Sequence, residues 1–361
     1  MNILPQASGI RPRLACEILP QGVVAGRSSD ANAALEAVSV AALTAGAVAP
    51  GLKPGNLPDR AAVVDAIRDA LEQLGERANA RDGNLTLVIP DAAVRVLLLE
   101  FEALPVRVSE ALPLVRFRLK KLLPFDADEA MVSYQTMSSG KAGVRVLAVA
   151  IPRDVLSEYE TAVRDAGFEP GAVLPSTLAC LAALQDTNPV LLVNANPLGV
   201  TAAIVRAGIL LLHRSVDLQE HALLGQTPQD HPSRNSEQDR VAEAAAAPPA
   251  WRDAAAGDRS SGDSPATFGL EPIPLASEIA QAVSVAAAYF EDTLAAPPTE
   301  VLSAGPLGAE RLSRILKTSG VGEDGGWKVR ELVENAALLP GAAKSTAPRA
   351  WLSGVLGALR G

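Results

Sequence analysis

The amino-acid sequence predicts an α/β protein of more than one domain, and three properties carry that prediction. At about 150 residues per domain, 361 residues make two or three domains. A hydrophobic content of 48% against 20% charged residues can fill an ordinary core, which excludes wholesale disorder or a collagen-like chain and predicts a soluble protein. Apolar runs of strand length alternate with stripes of helical period. The formal net charge of −9 has the wrong sign for a chain that wraps nucleic acid by neutralising phosphates. Cys16 and Cys180 are too far apart in sequence to suggest a disulfide framework or paired zinc ligands, which fits a reducing cytoplasm.

In chain order, Met1 to Pro12 lacks the basic-then-apolar pattern of an export signal. Arg13 to Val24 reads as a strand and turn, and Val38 to Val48 as a small-residue strand. Asp59 to Leu74 reads as a helix: Asp59 caps it, Val63, Ile67, Ala70, Leu71 and Leu74 form one apolar face, and Gly75 ends it. Leu85 to Ile89 and Val94 to Phe101 are expected strands separated by Pro90 and Asp91. A helix is expected from Ser109 to Leu123, stopped by Pro124. Strands at Val132 to Met137 and Val144 to Ile151 flank a turn, and a helix from Asp154 to Ala166 closes at Gly167. Residues 84–167 therefore read as a compact α+β domain set within a larger chain.

Three strands follow, Val190 to Asn194, Gly199 to Arg206 and Ile209 to Ser215, as a meander. From 219 to 271 the composition turns to Gln, Asp, Ser, Pro and Ala, with five prolines that prevent long regular elements, and a disordered insert is expected. Ser277 is expected to cap a helix running to Thr293. A strand at Glu300 to Ser303, a glycine turn at Gly305 to Gly308 and a helix from Ala309 to Lys317 make a geometry that suits phosphate. Near the C-terminus Trp351, Leu352, Val355, Leu356 and Leu359 form a helical apolar stripe, expected to dock on the core. The longest weakly polar run, Ala37 to Leu52, is broken by Pro50 and glycines and falls short of the ~20 apolar residues that span a bilayer.

No residue set points to nucleophilic or metal catalysis, so no catalytic residue and no metal site is expected. His213, His221 and His231 lack metal-ligand spacing, and no Walker-type phosphate loop is present. Arg116, Arg118, Lys120 and Lys121 are spread around their helix and read as a solvated surface, the alternative being a patch for an acidic partner. Leu97, Leu98, Leu99 and Phe101 form an apolar strand whose edge suits either burial in its own sheet or an added peptide strand.

An ordered series of short motifs goes further. Val88-Ile89-Pro90-Asp91, Leu99 to Pro105, Leu123-Pro124-Phe125 before Tyr134-Gln135, Ala150 to Val155, Ala166 to Pro170, Arg206 to Leu211, Glu278 to Tyr289 and Val301-Leu302-Ser303 together resemble the type IV pilus assembly protein PilM family. The resemblance implies an actin-like (ASKHA / ribonuclease H-like) two-lobed α/β fold, related to the cell-division protein FtsA, with an inserted small α+β domain. On that basis the first lobe is expected at 11–83 and 168–188 and the inserted domain at 84–167. The second lobe would span 189–345, interrupted at 219–271, with a C-terminal helix at 348–361.

The resemblance also implies a function. PilM-like proteins are cytoplasmic, lie peripheral to the inner membrane and bind the N-terminal tail of PilN; other pilus platform proteins are further expected partners, and twitching motility the process served. By the resemblance, the partner groove involves Leu97, Leu99, Phe101, Arg116, Phe117, Lys120 and Phe125. The degenerate nucleotide pocket would comprise Glu17, Gln21, Asn194, Asn196, Ser303 and Gly305. Where the family carries serines in its first phosphate hairpin, this chain has Leu19-Pro20, and proline has no amide hydrogen. Where the family carries the aspartate that holds hydrated magnesium, this chain has Asn194, an amide that weakens such a site. The expectation is a pseudo-ATPase scaffold without a cofactor. The alternatives are an active actin-like ATPase using ATP and Mg, with Glu17 and the Ser303 to Gly308 turn, or a GspL-like type II secretion component.

Overall fold

The computed structural model describes residues 12–30, 34–79, 83–141, 143–184, 188–218, 273–322, 326–342 and 347–360. The expected insert at 219–271, including His221 and His231, lies outside them. Two five-stranded sheets and one three-stranded sheet form the frame.

The first lobe is built on β1 (Leu14–Leu19), β2 (Gly22–Arg27), β3 (Ala37–Ala42), β4 (Asn84–Ile89) and β8 (Glu169–Pro175), in the order β3-β2-β1-β4-β8. β1 and β2 form a hairpin whose register, Leu19 opposite Gly22, leaves only Pro20 and Gln21 in the turn. β4 and β8 run parallel to β1. The strand expected from Val38 to Val48 ends at Ala42, because the chain turns through Gly46 at φ +85°. α1 (Arg60–Gln73) starts where expected: Asp59 Oδ1 accepts from the Ala62 N–H at 3.1 Å.

Pleating divides β1 between two cores. Leu14, Cys16 and Ile18 face Val63, Ile67 and Leu71 of α1 and Val155, Tyr159 and Val163 of α3 (Arg153–Asp165). Ala15 and Leu19 face the opposite core, shared between the lobes, and Glu17 lies on that side.

The second lobe has β9 (Val190–Asn196), β10 (Gly199–Arg206), β11 (Ile209–Asp217), β12 (Glu300–Ala304) and β13 (Lys328–Glu331), in the order β11-β10-β9-β12-β13. Its outer face packs on α5 (Ile273–Leu294) and α6 (Ala309–Thr318) through Leu191, Val193, Ile279, Val283, Phe290 and Leu312. Ser277, the expected cap, sits inside α5, which begins four residues earlier. Leu192 and its strand neighbours on the other face join the shared core.

The inserted unit is smaller than the expected 84–167. Its sheet is β5 (Arg95–Phe101), β7 (Gly143–Pro152) and β6 (Ala130–Gly140) in the order β5-β7-β6, covered by α2 (Val108–Leu119). β4 and α3 belong to the first lobe, β4 as a parallel partner of β1 and α3 as part of the layer over it. Strand and helix types were legible there, but pairing across the chain decides membership, and local pattern does not encode it. α2 also ends earlier than Leu123, at Leu119, where Lys120 and Leu122 turn back on Arg116 and Leu119.

Two short helices join the lobes. α4 (Ser176–Ala182) follows β8, and α7 (Ser353–Leu359) follows a 3₁₀ turn at Arg349–Leu352. Neither β8, α4 nor β13 stands out in the sequence: Pro170, Gly171 and Pro175 interrupt β8, α4 is only seven residues, and β13 is four residues with charged ends. The C-terminal stripe docks on the core as expected, with Val355, Leu356 and Leu359 buried. α7 lies so close to α4 that a Cβ on Gly357 would stand 1.8 Å from the Ala179 carbonyl oxygen. No helix among the described residues is long and apolar enough to cross a membrane.

Candidate functional site

The face that β1 and β9 turn toward each other holds a buried polar cluster. Glu17 lies on that face of β1, Asn194 on that of β9, and both are buried. The first turn of α4 stands between them. The Ser176 hydroxyl donates to Glu17 Oε1 at 2.6 Å, and the Asn194 amide donates to Ser176 Oγ and Thr177 Oγ1, each at 3.0 Å. Asp91, in the turn after β4, accepts from the Thr177 N–H at 3.0 Å, from the Thr177 hydroxyl, and from the Asn194 amide at 3.5 Å. Asn194 thus belongs to one lobe, and its side-chain amide donates to groups carried by the other lobe and its connector.

The environment of Glu17 is unusual for a carboxylate. Burial pushes its pKa up to about 7; the Ser176 hydroxyl and the Gly354 N–H hold it lower, while nearby Asp91 raises it further. A Cβ on Gly354 would come within 2.3 Å of Glu17 Oε2, so α7 approaches the carboxylate through a residue that must be small. His213 reaches the same region from β11; burial lowers its pKa, Asp91 counteracts this, and its Nε2 is enclosed without a partner.

Of the six pocket residues expected from sequence, Glu17, Asn194 and Gly305 come together. Gly305, at φ +78°, packs where a Cβ would touch Asn194 Oδ1 at 2.3 Å. Ser303 does not join them: it pairs with Val193 and shares that residue's side of the sheet, facing α5 and α6. Gln21 and Asn196 sit at the two hairpin tips. Asn196 spends its Oδ1 on the Leu198 N–H at 2.8 Å, which fixes the β9–β10 turn. The glycine turn before α6 also has its occupant: Glu331 Oε1 accepts from the Ala309 N–H at 2.7 Å, so a protein carboxylate caps the helix end that suits phosphate. Sequence reasoning missed Asp91, Ser176, Thr177 and Gly354 as members of the cluster, since no spacing links positions brought together only by the fold. Among the described residues no group of three His, Cys, Asp or Glu side chains is arranged to hold a metal.

The residues of the expected partner groove divide between core and surface. Leu99 is only 3% exposed and packs with Val115 and Leu119 of α2, so strand and helix meet there as a core. Leu97, Phe101 and Phe125 are half-buried against the same core. Arg116 turns inward and donates to the Ala127 carbonyl at 2.5 Å and the Ala130 carbonyl at 3.1 Å. Lys120 pairs with Asp128 at 2.5 Å, and Phe117 stands on the outer surface, 67% exposed. An open cleft of about 360 Å³ lies nearby, lined by Arg95 at the start of β5, Arg214 to Asp217 on β11, and Glu278 and Gln281 of α5. β11 is the outermost strand of its sheet, and among the described residues no strand pairs with its far edge.

Two lobes built on five-stranded sheets, joined by a pair of helices over a shared polar cluster, define an actin-like fold. The chain shares that fold with a chain of the PilM–PilN type IV pilus biogenesis complex, at 16% identity and a TM-score of 0.65, over 97% of this chain and 99% of that one. It is also similar to a protein of actin-like ATPase fold and unknown function from Bacteroides thetaiotaomicron (9% identity, 90% of this chain and 91% of that one, TM-score 0.45). A third similar structure is the ethanolamine utilization protein EutJ from Carboxydothermus hydrogenoformans (11% identity, 100% and 92%, TM-score 0.43). No protein-family model and no curated protein matches the sequence.

Proposed function

We propose that this chain is a nucleotide-independent scaffold of a type IV pilus inner-membrane platform. It binds the cytoplasmic N-terminal tail of a PilN-like membrane protein and is held peripherally at the membrane by that partner. The observation that carries the reading is end-to-end agreement in fold with a chain of the PilM–PilN complex, inserted unit included. The polar cluster supports the absence of nucleotide chemistry. An amide stands at Asn194, both oxygens of Asp91 accept from Thr177, and Glu331 caps α6. These residues do not fit a magnesium nucleotide, which requires carboxylate oxygens directed at hydrated metal and amides free for phosphate.

The tail is assigned to the cleft beside Arg95 and β11, where an extended peptide gains backbone hydrogen bonds from the outer edge of the sheet. Isothermal titration with ATP and magnesium, together with a phosphate-release assay, is expected to show neither heat nor turnover. Pull-down with a PilN-like tail peptide is expected to succeed and to be lost in Val216→Pro, which disrupts the β11 edge. Micromolar ATP binding would overturn the nucleotide-independent part; failure of a folded chain to bind the tail would overturn the partner.

A further inference from the structure

The inserted unit carries a surface with no role in the reading above. α2 is apolar on two faces. Ala111, Val115 and Leu119, spaced by four, pack on the sheet. On the outer side Phe117 and Leu114 project into solvent, and Val106, just before the helix, is 98% exposed. Isolated exposed apolar residues are ordinary, but these share one element with a concentration of positive charge. Between Val106 and Leu122 there are five cations and a single acid, Glu110, in a chain whose net charge is −9.

The structure sorts those cations. Arg116 is turned inward to two carbonyls, Arg107 pairs with Glu110, and Lys120 pairs with Asp128. Arg118 and Lys121 form no ion pair among the described residues, and Lys121 Nζ lies 6.0 Å from the centre of the Phe117 ring. An aromatic residue projecting beside exposed cations matches a bilayer interface, where the ring enters the headgroup boundary and the cations meet lipid phosphates.

We infer that the outer face of α2, with Phe117 at its crest and Arg118 and Lys121 beside it, contacts an anionic phospholipid surface directly. An acidic protein would satisfy the cations but gives no reason for Phe117, Leu114 and Val106 to project together. One short face with two free cations gives weak, reversible, salt-sensitive adsorption, which supplements a partner-mediated attachment and does not replace it.

The test is flotation of the full chain with vesicles of phosphatidylglycerol and phosphatidylethanolamine, compared with phosphatidylcholine alone, at low and high salt and without any partner protein. The expected result is association with the anionic vesicles only, reduced at high salt. Phe117→Asp and Lys121→Glu are each expected to weaken it about tenfold, with unchanged thermal melting because both side chains are exposed. Equal association with both vesicle types, no association at low salt, or full association of both folded variants would overturn the inference. Because the partner tail is absent, its binding by pull-down is read separately, so either conclusion can fail alone.

Discussion

At the scale of single residues, Glu17 is the most informative side chain. Its folded pKa of about 7 stands above the ordinary 4.5, so between those values the native state keeps a proton that the unfolded chain has released. Stability contributed by this group therefore falls as pH rises from about 4.5 to about 7 and is level above that, the reverse of a salt-bridged carboxylate. Glu17→Gln keeps an oxygen that accepts from Ser176 and removes the ionisation. It is expected to flatten that slope and stabilise the protein by on the order of 2 kcal/mol at pH 8, with little change at pH 4.5, as measured by urea denaturation. Asn194→Asp exchanges three donated contacts for a carboxylate facing Asp91. A loss of about 2–4 kcal/mol is expected at pH 8, recovering in acid, in the same denaturation series. The family resemblance pointed to Glu17 and Asn194, and the fold brings both into one polar cluster. Ser176, Thr177 and Asp91 were not legible as site residues, because ordinary turn and helix-start positions acquire a role only when the two sheets face one another.

At the scale of elements, the sequence shows type better than membership. The 3.6-residue period of α1 and the capping Asp59 are local properties and were readable to within a residue. That β4 pairs with β1 across some seventy residues, while β5, six positions on, starts another sheet, is decided by tertiary pairing. The same distinction separates Leu99 from Phe117. Leu99→Ala removes a buried side chain from the core between β5 and α2 and is expected to cost about 2–4 kcal/mol, whereas Phe117→Ala stays within about 0.5 kcal/mol, in thermal or chemical melts. A charge at Leu99 therefore reports on folding of the inserted unit and is unsuitable as a probe of partner binding. For the helix pair, Gly357→Ala drives a methyl into the Ala179 carbonyl and is expected to lower stability by more than about 3 kcal/mol. Gly140→Ala, with nothing within 4 Å and an ordinary φ, serves as the neutral control.

At the scale of the whole molecule, the two lobes share one core. Ala15, Val24 and Val88 of the first sheet, Leu192, Ala203 and Leu302 of the second, and Leu352, Val355, Leu356 and Leu359 belong to a single apolar cluster. With α4 and α7 wedged between the sheets, the lobes are expected to melt in one calorimetric transition. Leu356→Ala, by opening the wedge, is expected to lower the melting temperature of both lobes together. Two separated transitions in the parent protein would show that the lobes fold independently. The wedge also sets the timing of assembly on the ribosome. Glu17 leaves the exit tunnel early, yet the Gly354 amide that it accepts from is synthesised more than three hundred residues later. Until α7 is made, the inner face of the first sheet is uncovered, and aggregation during synthesis, or a need for a chaperone that holds that face, is the biological cost of covering it with a helix so distant in sequence.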